Sequence, residues 1–144
     1  MARFDFDISD FMRRTDLMKV AAVAAARTAV EDSIDDLERI ATNIAPIDTG
    51  ALRRSANKRV TASPLRVVGE VSFSAVENSP RYGRFNYALW THEASYSLGP
   101  RSAASPGTDG YSVGNKYLSR PLHGEAPKYF MWWATAIRGA LGRF

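Results

Sequence analysis

The chain of 144 residues has no cysteine and only two histidines. The first absence removes disulfides, thiolate metal sites and cysteine nucleophiles. The second leaves His92 and His123 as the only imidazoles. They stand 31 positions apart, far from the tight spacing of a zinc site. No serine lies in a Gly-x-Ser-x-Gly elbow, and neither a phosphate-binding Gly-x-x-x-x-Gly-Lys loop nor a Gly-x-Gly-x-x-Gly turn occurs. Long apolar runs are missing too, so no membrane-spanning helix is expected. The first residues, Met1 to Asp5, alternate charge and aromatic character, unlike the apolar core of a signal peptide. Neither a catalytic centre nor a metal or cofactor site is expected.

What the chain does carry is ordinary for one folded domain, with 45% hydrophobic and 24% charged residues. The net charge of +4 hides an asymmetry. Residues 1–48 hold ten acids and six bases, and residues 49–144 hold five acids and thirteen bases. The basic part is expected to meet an anionic partner or the acidic helix of a neighbouring copy.

Residues 1–15 show no clean period and read as an N-terminal arm; residues 16–144 read as a single domain. From about Asp16 to Ala45, Leu17, Val20 and Ala24, then Val30, Ile34, Leu37, Ala41 and Ile44, recur at helical spacing. Thr15 or Asp16 is expected to cap this helix, and Pro46 to stop it, over roughly 45 Å. Its polar face carries Glu31, Asp32, Asp35, Asp36 and Glu38, a solvated face or an acidic interface. Asp48-Thr49-Gly50 reads as a turn, with Asp48 or Thr49 capping a short helical turn through Arg53. Residues 57–62 and 65–74 alternate as a β-hairpin punctuated by Ser63-Pro64, with Val67, Val71 and Phe73 on one face.

Residues 77–84 have loop composition, and residues 86–93 read as a third strand, apolar on both faces. On a strand His92 and Glu93 would point apart. Residues 94–115, rich in Ser, Gly and Pro, read as one long loop, and a final helix is expected to open at Pro127. Arg138 and Arg143 suit the negative end of that helix. The expected class is α+β: a long N-terminal amphipathic helix and a C-terminal helix packed on a small antiparallel sheet.

Basic residues Arg53, Arg54, Lys58 and Arg59 lead into the hairpin. Arg81, Arg84, Arg101, Lys116 and Arg120 follow, interleaved with Tyr82, Phe85 and Tyr117. Such a pattern would neutralise phosphate and stack bases without reading sequence, so a basic nucleic-acid-binding module is one reading. A hydrolase using His92 and Glu93 is another, which nothing in the sequence calls for.

Two segments point elsewhere. Ala45-Pro46-Ile47-Asp48-Thr49-Gly50-Ala51-Leu52-Arg53-Arg54-Ser55 and Tyr87-Ala88-Leu89-Trp90-Thr91-His92-Glu93, in that order after a long helix, resemble the signature of tailed-bacteriophage neck proteins. These are the head–tail joining, tail-completion or minor capsid proteins. Pro46, Asp48, Thr49, Gly50, Leu52, Arg53 and Ser55 match the first motif; Tyr87, Ala88, His92 and Glu93 match the second. Lys116-Tyr117-Leu118 and Pro121-Leu122 are similar to the third. Aspartic proteases share Asp-Thr-Gly, but no second catalytic half or flap accompanies it. The chain departs from the pattern after Glu93, where Ala94-Ser95-Tyr96 precedes Gly99, and its 94–115 loop is long.

The resemblance implies a structural virion protein, made in the bacterial host and located in the neck, as head–tail connector or tail terminator. It implies a ring of about 6 or 12 identical copies around the DNA channel. Neck, stopper and tail-tube proteins would be its neighbours, and non-specific contact with genomic DNA would follow. Arg53, Arg54, Lys58 and Arg59 would face DNA or an acidic neighbour. The acidic face would pack on another copy or layer, and the arm and the long loop would order on assembly.

Overall fold

A computed structural model describes residues 3, 5, 7–81 and 83–144. Residues 1, 2, 4 and 6 of the expected arm and Tyr82 of the basic-aromatic set lie outside the described residues. The fold is α+β, with a long N-terminal helix, a C-terminal helix and antiparallel strands between them. The elements are α1 (Ser9–Ile44), α2 (Ala51–Arg54), β1 (Asn57–Ser63), β2 (Arg66–Ser72), β3 (Val76–Ser79), β4 (Gly83–Asn86), α3 (Tyr87–Glu93), α4 (Pro100–Ala103) and α5 (Ser119–Leu141).

Helix α1 starts earlier than its periodicity suggested, so residues 9–15 are helix and not arm. Neither Thr15 nor Asp16 caps it. Asp7 does the work from outside, accepting the Ser9 N–H at 2.9 Å, while Thr15 Oγ1 donates back to the Phe11 carbonyl inside the helix. The stop at Pro46 is as expected: Ala45 turns to extended backbone at ψ 136°. The buried face of α1 is Ala29, Ser33, Ile34, Leu37, Ile40, Ala41 and Ile44. Leu17 and Val20, the start of the expected apolar stripe, stay 53% and 68% exposed.

The β1–β2 hairpin pairs Asn57 with Ser72 through Ser63 with Arg66 around Pro64-Leu65. One face packs on α1. A Cβ on Gly69 would lie 2.6 Å from both Val30 and Ile34 side chains, so the absence of a side chain sets the distance between strand and helix. The other face is wet, with Arg59 opposite Glu70 and paired to it at 2.5 Å.

Three expectations fail here. Residues 77–84 contribute to a second hairpin, β3–β4, instead of a loop. Residues 87–93 form helix α3, not a third strand. The Asn86 side chain caps it, accepting the Leu89 N–H at 3.0 Å, and burial follows the helical interval, with Ala88 and Thr91 inside and Leu89 and Trp90 outside. The last helix begins at Ser119, eight residues before Pro127, which lies within it. Pro121 occupies the first turn, where a missing N–H loses no helical bond. The sheet is therefore two separate two-stranded hairpins.

The core joins distant segments: Ile40, Ile44, Ala45, Leu52, Ala75, Ala88 and Tyr117, with Phe73 and Tyr87 packed around them. The 94–115 segment, expected as one long loop that orders on assembly, carries helix α4 and a Thr108–Tyr111 bridge and is tied down within the single chain. Ser102 is 3% exposed and its Oγ accepts the Ile47 N–H at 2.7 Å; Gly114 N–H donates to Ile44 O at 3.0 Å, and Val113 is buried.

Candidate functional site

The first motif builds the corner where α1 ends. A helix C-terminus leaves carbonyls without partners and carries partial negative charge. The last turn of α1 has no basic residue of its own. Arg53 arrives from α2 to supply one: its Nε donates to Ala45 O at 2.8 Å and its Nη2 to Asn43 O at 2.9 Å. Burial pushes this guanidinium below its ordinary pKa. Gly50 takes φ +85°, the left-handed region glycine tolerates, and lets the chain turn into α2. Thr49 Oγ1 accepts the Ala51 N–H at 3.3 Å; Asp48 caps nothing with its side chain, and its carbonyl accepts Arg101 Nη1 at 2.6 Å. Leu52 is 2% exposed, and Ser55 Oγ links Leu52 O to the Ser74 N–H.

The second and third motif segments interlock. Tyr117 OH donates to Ala88 O at 2.8 Å, and Lys116 N–H donates to His92 O at 2.8 Å. Burial pushes the Tyr117 phenol well above its usual pKa. Lys116 sits at φ +53°, and its ammonium is paired with Glu93. Lys116 and then His92 hold the Glu93 carboxyl below its ordinary range. His92 and Glu93 are neighbours on a helix and not on opposite strand faces: His92 Nδ1 lies 2.8 Å from Glu93 Oε1.

On its other side, His92 Nε2 accepts the Ser119 backbone N–H at 3.4 Å, with Ser119 Oγ at 3.3 Å. With Nε2 accepting, the proton belongs on Nδ1, toward Glu93. Ser119, His92 and Glu93 thus align in the order of a nucleophilic triad, which sequence reasoning missed because Ser119 lies 26 positions beyond Glu93 in no recognisable motif. Chemistry needs more than that order: an access cleft and donors for a developing oxyanion. None of the three clefts described below is lined by Ser119, His92 or Glu93. The same ring nitrogen satisfies an orphan N–H in the first turn of α5, which is the work of a cap. His123 also turns to Ser119, with Nδ1 2.7 Å from its carbonyl. No group of three or more metal-ligating side chains occurs among the described residues.

The charged residues singled out in the sequence meet inside one chain. Lys58 bridges Asp35 at 2.8 Å and Glu38 at 2.9 Å, and those two acids raise its pKa. Arg59 pairs with Glu70, Arg54 Nη1 donates to Thr49 O at 3.2 Å, and Glu31 pairs with Arg27 at 3.2 Å. The sequence asymmetry is in this part internal complementarity. Asp36, 17% exposed, is a hub: Lys128 Nζ and Arg39 Nη2 lie 2.8 Å away and Tyr129 OH 2.9 Å. Burial pushes its carboxyl up, but Lys128, Arg39 and Tyr129 together outweigh burial and hold it below its ordinary value. Asp32 lines an open cleft beside Met131 and Trp132.

A second cleft runs between the first motif and α4, past Tyr87, Trp90 and Tyr96. The largest, about 1000 Å³, lies between α1, β2 and α5 and is lined mostly by apolar side chains. Geometry and composition define a small α+β protein whose motif residues brace the core. Among the described residues, no helix is long and apolar enough to cross a membrane. Comparison with family models, with characterised proteins and with solved structures returned no match for this chain.

Proposed function

We propose that this chain is a structural protein of the tailed-phage neck, forming a ring that joins head to tail or terminates the tail. One observation carries the reading: the three segments that resemble the neck signature meet in one core. Leu52 from the first, Ala88 from the second and Tyr117 from the third pack together, although 65 positions separate Leu52 from Tyr117. An assembly protein needs a rigid frame more than a reactive cleft, and these residues act as caps, turns and core. The proposal extends to the expected partners: copies of itself, neighbouring neck and tail-tube layers, and channel DNA bound without sequence preference. All four residues of the basic run bond within the chain, Arg54 to Thr49 O, Arg59 to Glu70, Lys58 to Asp35 and Glu38, and Arg53 to the end of α1; Arg54, Lys58 and Arg59 are nonetheless exposed and are the ones that would face that DNA.

The test is deletion of the gene from the phage or prophage that carries it, followed by negative-stain microscopy of the lysate. Packaged heads beside separate tails support joining, and tails of irregular length support termination. Normal infectious particles overturn the proposal.

A further inference from the structure

Strand β2 is paired on one edge only. Its neighbour is β1, and among the described residues no strand lies on its other side. That free edge opens onto the largest cleft. Successive residues of a strand point to opposite faces, yet Val67, Gly69 and Val71 line the cleft together with Arg66, Glu70 and Ser72. A cleft that runs along the edge of the strand collects both sets. Val30 and Ile34 of α1 form its floor. Leu122 and Phe130 of α5, 45% and 59% exposed, form its far wall. An unpaired edge beside bare apolar groups is a template for one more strand.

The space has the section of a strand. Its floor, residues 22–37 of α1, is about 22 Å long at the helical rise, so a volume of about 1000 Å³ gives a mean cross-section of about 45 Å². A strand in a packed sheet takes about 4.8 by 10 Å, whereas a helix about 10–12 Å across takes about twice that area. A segment held by folded elements at both ends would enter as a doubled chain, which is too wide as well. Single chain is left only before α1 and after α5. Residues 142–144 are too few, and the Phe144 carbonyl is held by Arg14. Before α1 stands Arg3-Phe4-Asp5-Phe6-Asp7.

We propose that residues 3–7 of a second copy of this chain add to β2 as a third strand. Their alternation matches the two sides of the site. On a strand Phe4 and Phe6 share one face, and Arg3, Asp5 and Asp7 the other. With the phenylalanines on the α1 floor, Asp5 and Asp7 come to the outer rim. That rim carries Arg59 and Arg66 against Glu70, and the segment carries two acids against Arg3, so the two balances have opposite sign. The cleft of the same molecule is out of reach. Phe6 stands three residues before Ser9, at most about 10 Å of extended chain, whereas Val30 lies about 32 Å along α1. Strand addition is a common recognition mode: main-chain hydrogen bonds give affinity and alternate side chains give specificity. Because arm and cleft are different surfaces, the contact is heterologous and passes from copy to copy, closing into a ring if the rotation allows. The proposal rests on the ring reading for that closure alone.

The test follows association and the β2 backbone together in the full chain. As the protein is concentrated, sedimentation should show association, and β2 amides should exchange with deuterium at least about tenfold more slowly than in the dilute protein. Phe4→Asp/Phe6→Asp leaves α1 and its Asp7 cap in place. It is expected to remove that added protection and weaken association at least about tenfold, with unchanged circular dichroism. Phe4→Leu/Phe6→Leu should keep most of both. A chain that stays monomeric at about 1 mM overturns the proposal. So does association that leaves β2 exchange unchanged. Association and β2 protection that both survive Phe4→Asp/Phe6→Asp would mean that two β2 edges pair, and would overturn the arm as occupant. Arm-dependent protection in a protein whose gene deletion leaves normal particles supports the contact while removing the neck assignment. Unchanged β2 exchange with a head–tail defect does the reverse.

Discussion

Replacing Arg53 tests whether the first motif is a structural corner or a surface aimed at DNA. Arg53 closes α1 with two hydrogen bonds, 2.8 Å to Ala45 O and 2.9 Å to Asn43 O. A hydrogen bond to a charged group contributes about 1.5–3 kcal/mol, and a cation at a helix C-terminus about 0.3–1 kcal/mol more. Water reaches part of the corner once the side chain is gone, so Arg53→Ala is expected to cost about 2–4 kcal/mol, below the full sum. For a chain of this size that lowers the melting temperature by about 6–12 °C. Arg53→Lys retains the charge but loses the planar fork, and is expected to recover about half the loss. Urea denaturation followed by tryptophan fluorescence, with thermal melts beside it, gives both numbers. A loss below about 0.5 kcal/mol for Arg53→Ala would refute the cap. If particles lost DNA retention at the same time, the outward-facing role would replace it.

Gly69→Val is expected to cost at least about 2 kcal/mol, because the new side chain meets Val30 and Ile34 where even a Cβ has only 2.6 Å; a variant as stable as the parent in urea would contradict the packing. His92→Ala should lose about 1–2 kcal/mol and Ser119→Ala less than about 0.5 kcal/mol, since the backbone N–H of Ser119 is the group being capped; equal losses would point away from a cap. The depressed pKa of Asp36 gives stability that is present above the unfolded carboxyl value, about 3.9, and lost as pH falls through the folded value. Melting temperature should therefore fall below about pH 4, and less steeply in Asp36→Asn. At the alkaline end, burial raises the phenols of Tyr96, to about 12, and of Tyr117 and Tyr129 further. Their contribution is present below the unfolded value near 10 and lost as pH rises through the folded ones, so melts should show a decline from about pH 10 upward.

Much of the fold is legible in the sequence where the signal is local. The +4, +3 spacing from Val30 to Ile44, the stop at Pro46, the Asp48-Thr49-Gly50 turn and the period-two pattern of the first hairpin depend on neighbours within a few residues. Helix α3 was misread because Tyr87 to Trp90 is apolar on every face, so a period of two and a period of 3.6 fit equally well. Asn86 as a cap was the signal that separated them. The early start of α5 was hidden by Pro127, whose place inside a helix is decided by its surroundings.

The amino-acid sequence by itself determined the α+β class, the principal helix and hairpin, and the absence of cysteine chemistry. Only the tertiary structure decided which groups meet. It sends Arg53 back to cap the helix that precedes it, lays Lys58 on Asp35 and Glu38, and brings Lys128 and Tyr129 to Asp36 from 92 and 93 positions away. It also leaves Leu17 and Val20 bare, where periodicity alone gave them the same standing as Ile34 and Leu37. Periodicity reports which face of a helix is apolar. Whether another element of the same chain covers that face depends on chain length and topology, and α5 and the hairpin cover α1 over its second half.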